Sequence, residues 1–207
     1  FDVSADGRWL AYTANEGGYS RLQLLDLRNS LDLSPPRIPR GLIGNLRFDP
    51  ASMLLAMTIS GPDRPRDVWT LDLEANSLQR WTTSETGPIN QQQYVSAQAF
   101  SYPTFDFIAR RQPRQIPAFV YRPRKAGPLP VIIDVHGGPE SQARPAFDAA
   151  TQFLVGELGY AVITPNVRGS TGYGKSYGRL DNGYLREDSV RDIGALLDWI
   201  ARQPDLD

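Results

Sequence analysis

The segment VIIDVHGGPE, residues 131–140, constrains the fold more than any other part of the chain. Five mostly apolar residues lead directly into a turn that contains two glycines and a proline. Strands buried on both faces of a parallel sheet have this continuous apolar character. The turn after such a strand lies at the carboxyl edge, where open α/β sheets bind their ligands. The segment therefore predicts an α/β sheet with bare backbone N–H groups at Gly137 and Gly138.

The residues after this segment predict alternating helices and strands. A helix is expected over residues 145–158, because apolar residues recur there at helical spacing, and residues 161–164 form a second apolar strand. A last helix carries an apolar stripe over residues 190–200, and residues 189–192 resemble a capping box. This order of elements predicts the beginning of a parallel, doubly wound sheet.

The first part of the chain repeats a pattern rich in short strands. FDV at residues 1–3 recurs as FDP at residues 48–50, an offset of 47 residues. Two more echoes stand at matching places, since WLAYTANE resembles MLLAMTIS and LQLLDL resembles DVWTLDL. Repeats of roughly 40 to 50 residues with about four strands each are typical of β-propeller blades. Two unrelated pairs of hairpins are the alternative, and the three echoes favour repetition.

The repeat and the α/β pattern meet near residue 100. Residues 84–104 carry a glutamine run and two prolines with weak periodicity, and we interpret them as a crossover. Paired strands are then expected at residues 104–110 and 118–123. Because two repeats cannot close a ring, we expect further blades before Phe1.

Composition excludes several functional classes. A formal net charge of −1 argues against a nucleic acid or a membrane surface held by charge. One histidine and no cysteine leave no spacing suitable for zinc and no disulfide, so no metal is expected. No stretch is apolar for long enough to cross a membrane. The compartment stays open between cytoplasm and periplasm, with a preference for the cytoplasm.

The HGGP turn is the strongest candidate for a catalytic role in this sequence. Acyl transfer builds negative charge on a carbonyl oxygen, which preorganised N–H donors stabilise. Glycine lets a substrate approach the backbone closely. Pro139 stiffens the turn but has no N–H, so Gly138 is the main candidate donor and Gly137 lies beside it. An ordinary strand-to-helix turn is the alternative.

Two other polar residues are interpreted as braces for loops. In α/β-hydrolases the catalytic histidine comes last in chain order, so His136 is expected to brace the HGGP turn by hydrogen bonding. Arg168 follows the second apolar strand and could bind a carboxylate, but a bracing role in its glycine-rich loop is favoured. Asp134 is a candidate buried carboxylate that needs partners.

A second motif is interpreted as non-catalytic. GKSYG, residues 174–178, matches G-x-S-x-G, but a nucleophile elbow needs an apolar strand that runs straight into the first glycine. Here a loop precedes the motif and no histidine follows it. A serine without a base is a poor nucleophile, so Ser176 is not assigned a catalytic role.

These segments together resemble the prolyl oligopeptidase family of serine peptidases, particularly its acylaminoacyl-peptidase and dipeptidyl-peptidase-like branches. The resemblance rests on the motifs IPAFVYRP, PVIIDVHGGPE, GYAVITPNVRGSTGYGKSYG and REDSVRDIGALLDWI. It implies a β-propeller followed by an α/β-hydrolase domain. Residues 1–100 would be C-terminal blades with a crossover, and residues 101–207 the N-terminal half of the catalytic domain.

The resemblance also implies the hydrolysis of oligopeptides through an acyl-enzyme, with a short peptide as substrate and without a cofactor. Only the oxyanion-hole part carries over to this chain, onto Gly138 and Gly137. The family's nucleophile is expected on a strand after RQPDLD, and the acid and the histidine later. We therefore expect an inactive fragment whose partner is the remaining C-terminal part of the same protein. Because a half-built sheet exposes a strand edge, the fragment should be poorly soluble alone.

Two other functions stay open at this point. A carboxylesterase or lipase-like hydrolase would share the oxyanion chemistry without a propeller. A propeller–hydrolase protein that binds without catalysis would lack the nucleophile. The residue specificity, the choice between exo- and endopeptidase, and the oligomeric state stay open too.

Overall fold

The computed structural model describes residues 1–51, 53–125, 127–138 and 140–207. Within these ranges the backbone forms three four-stranded sheets and three α-helices. Pro139 of the HGGP turn lies outside the described residues. No helix among the described residues has the length and apolar character needed to cross a membrane.

The first compact unit comprises Phe1–Ile89 together with Arg144–Asp148. It contains two antiparallel sheets in which strands adjacent in sequence are adjacent in space. The strands of the first sheet are β1 (Asp2–Val3), β2 (Trp9–Glu16), β3 (Tyr19–Asp26) and β4 (Leu31–Leu33). Those of the second are β5 (Leu42–Phe48), β6 (Leu54–Gly61), β7 (Arg64–Asp72) and β8 (Ser77–Arg80). The four-stranded repeat predicted from the sequence is confirmed.

The two sheets of the first unit are alike in register and share a core. Trp9 pairs with Asp26 in the first sheet, and Leu54 pairs with Asp72 at the corresponding place in the second. Alternate residues along β6 are buried, as expected for a sheet with one face in a core. The buried apolar residues of this core are Ala11, Leu22, Leu24, Ile43, Leu46, Leu55, Met57, Ile59 and Leu71.

The second compact unit comprises Asn90–Ala143 and Ala149–Asp207. Its strands are β9 (Gln98–Ala109), β10 (Gln112–Tyr121), β11 (Val131–Ile133) and β12 (Ala161–Pro165). They lie in the order β11-β12-β10-β9. Only β11 and β12 are parallel, whereas β10 is antiparallel to both β9 and β12. The parallel pairing predicted for the two apolar strands is observed for β11 and β12, and the strand pair predicted before them is the antiparallel β9–β10 hairpin. The sheet as a whole is mixed, because β10 is antiparallel to β12.

A short segment near residue 206 extends this sheet. Leu129 and Leu206 form a parallel bridge, and the N–H of Val131 donates to the carbonyl of Asp207 at 3.0 Å. The carbonyl of Pro130 accepts from Ala161 at 2.9 Å. Since neighbouring residues of a strand point their hydrogen bonds to opposite sides, residues 205–207 lie on the side of β11 away from β12.

The helix predicted over residues 145–158 is shorter in the structure. Helix α1 spans Ala149–Gly156, because Arg144–Asp148 belongs to the first unit, where Arg144 Nε donates to the carbonyl of Gly18 at 2.8 Å. The predicted apolar face is wrong in part, since Phe153 and Leu158 are exposed. The buried side chains of α1 are Thr151, Gln152 and Val155.

Two further helices follow β12. Helix α2 is one turn, Lys175–Gly178, and α3 spans Glu187–Ile200. The predicted capping box at 189–192 is wrong, because α3 has already begun there and Ser189 Oγ donates to the carbonyl of Arg186. The predicted stripe of α3 is only partly buried, since its exposed residues include Val190. The buried residues of α3 are Ser189, Asp192, Leu196 and Ile200.

The core of the second unit combines α3 with one face of the sheet. Its buried members are Tyr102, Ile116, Ala118, Val120, Leu129, Ala161, Ile163, Leu196, Ile200 and Leu206. Alternation along the strands turns Phe119 and Val162 to the opposite face, where they are buried as well. In contrast, β11 is only half-buried, which corrects the expectation that this strand is buried on both faces.

Candidate functional site

The two glycines of the HGGP turn follow β11 and are exposed. Among the described residues, no acceptor takes a hydrogen bond from the N–H of Gly137 or Gly138. Gly138 has a φ of +116°, and a Cβ atom there would lie 3.0 Å from the backbone nitrogen of Glu140. A Cβ on Gly137 would meet nothing within 4 Å. The turn thus presents two backbone donors and requires glycine at the second of them.

His136 connects this turn to the loop formed by residues 166–174. Its Nε2 lies 3.1 Å from Ser170 Oγ, and its Nδ1 lies 3.2 Å from the carbonyl oxygen of Gly137. Ser170 is fully buried, and its hydroxyl lies 2.7 Å from the carbonyl of Val167. The only histidine of the chain is therefore held between two loops.

The other side of the turn is held by the same 166–174 loop. The Asn166 side chain accepts from the N–H of Ala143 at 2.7 Å and donates to its carbonyl at 3.1 Å. The N–H of Thr171 donates to the carbonyl of Ser141 at 2.8 Å. Hydrogen bonds thus fix the chain before and after the two glycines. Sequence reasoning missed Asn166, whose only signal is its place at the end of an apolar strand.

Two glycines of the 166–174 loop allow close contacts with polar side chains. Gly169 has a φ of +93°, and a Cβ there would lie 2.4 Å from Asp181 Cγ. Gly172 has a φ of +88°, and its Cβ would lie 2.5 Å from the amide of Gln142. Both the backbone conformation and the space available therefore exclude larger residues.

Arg168 lies in the interior of the second unit, with 2% of its surface exposed. Its Nε and one terminal nitrogen donate to the two carboxylate oxygens of Asp192 at 2.9 and 2.7 Å. The same terminal nitrogen donates to Asp106 at 2.9 Å. Asp192 is fully buried and also accepts from Thr104 Oγ1 at 2.7 Å. Because these carboxylates occupy its guanidinium, Arg168 is not placed to bind a substrate carboxylate.

At this cluster, charge pairing affects the pKa values more than burial does. Burial by itself would lower the pKa of Arg168, but the hydrogen bonds and charges of Asp192 and Asp106 raise that pKa above its ordinary value. Burial would likewise raise the pKa of Asp106, and hydrogen bonds from Arg168 and Arg114 bring it below its ordinary value. The cluster links β9, the 166–174 loop and α3 through charged hydrogen bonds, which are stronger than neutral ones.

The remaining candidates do not join this arrangement. Ser176 is exposed on α2, and the residues before it form a loop rather than a strand, so the context of a nucleophile elbow is missing. Asp134 is exposed beyond the end of β11, which corrects its assignment as a buried carboxylate. Across the described part of the chain, no three His, Asp or Glu side chains converge as metal ligands would.

Comparison with known proteins gives a consistent result. Residues 145–207 match the model of the prolyl oligopeptidase family of peptidases. Dipeptidyl aminopeptidase BIII of Pseudoxanthomonas mexicana is 30% identical over 105 residues, which cover 46% of this chain and 15% of that protein. The uncharacterized peptidase YuxL of Bacillus subtilis (strain 168) is 24% identical over 177 residues, covering 84% of this chain and 26% of that protein. The resemblance predicted from the sequence is confirmed.

The fold is similar to that of a solved prolyl endopeptidase. The two structures align with a TM-score of 0.79 and 16% sequence identity, over 98% of this chain and 29% of the endopeptidase chain. At this identity the likeness shows the fold alone. These coverages mean that the present chain spans less than a third of the length of each of these relatives.

Proposed function

We propose, on the premise that this chain is related to the prolyl oligopeptidase family, that the intact protein is a serine peptidase that hydrolyses short peptides through an acyl-enzyme. In this proposal Gly138, with Gly137 beside it, supplies backbone donors of the oxyanion hole. The second unit is the N-terminal half of an α/β-hydrolase domain, and the two four-stranded sheets of the first unit are blades of a β-propeller.

The observation that carries the proposal is the pair of unoccupied N–H groups at Gly137 and Gly138. Buried backbone N–H groups are almost always paired within the protein, whereas Gly137 and Gly138 are exposed and their amides can donate to a ligand. Here the chain is held on both sides, by the contact of His136 with Ser170 and by the hydrogen bond that Asn166 accepts from Ala143, while the two glycine amides have no partner among the described residues. Donors that are fixed in advance cost little reorganisation when charge develops on a substrate oxygen.

The pairing of residues 205–207 with the start of β11 supports a nucleophile further along the chain. This segment runs parallel to β11, so a strand that continued in the same register would end at the same sheet edge as the glycine turn. At about 3.3 Å per residue, it would come level with Gly137 roughly seven residues beyond Asp207. A nucleophile elbow there would place its serine near the two donors.

The chemistry follows from this placement. The serine oxygen adds to the peptide carbonyl carbon while a histidine takes its proton, and the carbonyl electron pair moves onto oxygen. The N–H of Gly138 donates to that oxyanion. The C–N bond then breaks as the leaving amine takes the proton, and water cleaves the resulting ester by the same route.

The proposal can be tested by labelling the intact protein with a fluorophosphonate probe and mapping the modified serine by mass spectrometry. We expect one labelled serine outside residues 1–207 and full labelling of a Ser176→Ala variant. Label on Ser176 would overturn the assignment. A parallel panel of peptide and ester substrates separates a peptidase from an esterase, and a protein that reacts with neither probe nor substrate would be a binding protein.

A further inference from the structure

We propose that His136 is a positioning residue that sets the direction of the Gly138 N–H. The inference rests on the proposed function, because it assigns a role within the same oxyanion site. Its basis is the contact between His136 Nδ1 and the carbonyl oxygen of Gly137, which lie 3.2 Å apart.

The peptide plane between the two glycines transmits this contact. The carbonyl of Gly137 and the N–H of Gly138 belong to the same peptide group, which is planar and trans. They point in opposite directions, so whatever fixes the oxygen also fixes the hydrogen. A bond from Nδ1 to this oxygen therefore turns the Gly138 N–H away from the imidazole ring, toward the space that a substrate oxygen would occupy.

Within the described residues, the ring is the one group bonded to this peptide. The Gly137 oxygen accepts from nothing else, and the Gly138 N–H donates to nothing. Glycine on both sides leaves the peptide free to rotate, because glycine adopts positive and negative φ almost equally well. Without the ring, no hydrogen bond among the described residues would set the direction of the Gly138 N–H.

Ser170 in turn fixes the ring. The contacts run from Gly137 O to Nδ1, from Nε2 to Ser170 Oγ, and from that hydroxyl to the Val167 carbonyl. A neutral imidazole and one hydroxyl supply two protons for these three contacts. The Gly137 contact is a hydrogen bond only when Nδ1 carries a proton, and otherwise two lone pairs face each other. The inference assigns the ring proton to Nδ1, so a donor at that position is the feature to be tested.

Two substitutions separate the functions of the two ring nitrogens. His136→Asn keeps an N–H donor near the Nδ1 position and loses the link to Ser170. His136→Gln keeps a donor near the Nε2 position and loses the contact with Gly137. In the intact protein we expect His136→Gln to lower kcat about 10- to 100-fold with KM within about twofold, a smaller loss than the removal of an oxyanion-hole donor. His136→Asn, which loses only the link to Ser170, should lower kcat less than His136→Gln does, by about tenfold at most.

Thermal unfolding controls for a structural effect of the substitutions, and a third variant replaces any histidine variant that does not fold. Equal unfolding temperatures for both variants exclude a purely structural effect. If either histidine variant fails to fold, Ser170→Ala serves instead, since freeing the ring should lower kcat about tenfold and leave KM unchanged. The inference is wrong if His136→Gln or, in its place, Ser170→Ala keeps the kcat of the unmodified protein, or if the Asn and Gln variants lose kcat equally.

The outcomes also separate this inference from the proposed function. A protein that neither hydrolyses peptides nor reacts with a fluorophosphonate contradicts the proposed function before any variant is made. An active protein whose kcat is indifferent to His136→Gln contradicts the positioning role alone.

Discussion

Turn aspartates of the first unit accept backbone hydrogen bonds from their immediate neighbours, whereas the buried Asp192 of the second unit is held by residues far away along the chain. In the first unit Asp26 accepts from the N–H groups of Arg28 and Asn29, and its other oxygen accepts from the half-exposed Arg8 side chain. Asp72, at the corresponding place in the second sheet, accepts from residues 74 and 75. In the second unit Asp192 is bound by Arg168 and Thr104, which are 24 and 88 residues away.

This difference separates turns that close locally from a cluster that holds distant elements together. A turn aspartate orders the few residues next to it, as Asx turns do. Asp192 and Arg168 instead join β9, the 166–174 loop and α3, and both are buried. The loss of one partner from such a cluster leaves an uncompensated buried charge, which is costly.

The largest expected effect comes from removing this central cation. Arg168→Ala should lower the free energy of unfolding of the second unit by about 3–5 kcal/mol, because Asp192 would remain buried without its partner. The matched variant is Arg8→Ala, which removes the ion pair with Asp26 in the first unit. The Arg8 side chain is 38% exposed, so water screens this pair and the loss should be much smaller than that of Arg168→Ala.

Peptide-resolved hydrogen–deuterium exchange of the intact protein measures the stability loss of Arg168→Ala in the second unit and that of Arg8→Ala in the first. Comparable losses for the two arginine variants would show that the buried cluster of the second unit is no more costly to break than the half-exposed ion pair of the first.

The next effect compares two glycines of the second unit, one packed against a distant side chain and one facing open space. Gly169 and Gly174 have φ values of +93° and +90°, so alanine strains the backbone at both. Only Gly169 faces a distant side chain, since its Cβ would lie 2.4 Å from Asp181, whereas Gly174 has open space. Gly169→Ala should therefore cost about 1–3 kcal/mol more than Gly174→Ala, as overpacking does. Denaturant unfolding of both variants measures the difference, and equal losses would show that backbone strain alone matters.

A smaller effect, which depends on pH, is expected at the local turn of the first unit. The Arg8 side chain and neighbouring N–H groups lower the pKa of Asp26 to about 2. Because the folded state favours the charged form, its stabilisation is fully present above about pH 4 and is lost as the pH falls toward 2. Asp26→Asn should remove this part of the pH dependence, and Arg8→Ala should reduce it. Exchange in β2 and β3 between pH 5 and 2 measures it; an unchanged slope in Asp26→Asn would contradict the assignment.

The smallest expected effect is a gain in stability. Gly194 lies in the middle of α3 and is exposed, and a Cβ atom there would meet nothing within 4 Å. Gly194→Ala should stabilise the second unit by up to about 1 kcal/mol through helix propensity alone. Exchange rates along α3 report the gain. A loss of stability would mean that this face of the helix is covered in the intact protein.

The same contrast explains which parts of the fold could be predicted from the sequence. The strands of the first unit were predicted closely, because alternation and turn residues are local and occur twice. The antiparallel pairing of β10 with β12 was not predicted, since it joins residues that are far apart in sequence. The shortened α1 has a similar cause, because Arg144 and its neighbours bind in the first unit.

For the candidate site, the sequence indicated which residues to examine but not their contacts. His136, Gly137, Gly138 and Arg168 were chosen from their places after apolar strands, and their roles stay predictions. The partners of Arg168 could not be identified, because Asp106 and Asp192 look like ordinary exposed carboxylates in the sequence. Asn166 and Ser170 gave no periodic or spacing signal at all.

The parallel bridge between Leu129 and Leu206 fixes the length of the connection after α3. Only four residues, 201–204, separate Ile200 from the paired segment 205–207. The insertion or deletion of one residue there would slide the segment by one position and exchange its inward and outward side chains. Leu206 would leave the core, and any strand continuing from it would be inverted. Among homologues, this connection should therefore vary in residue type while keeping a constant length.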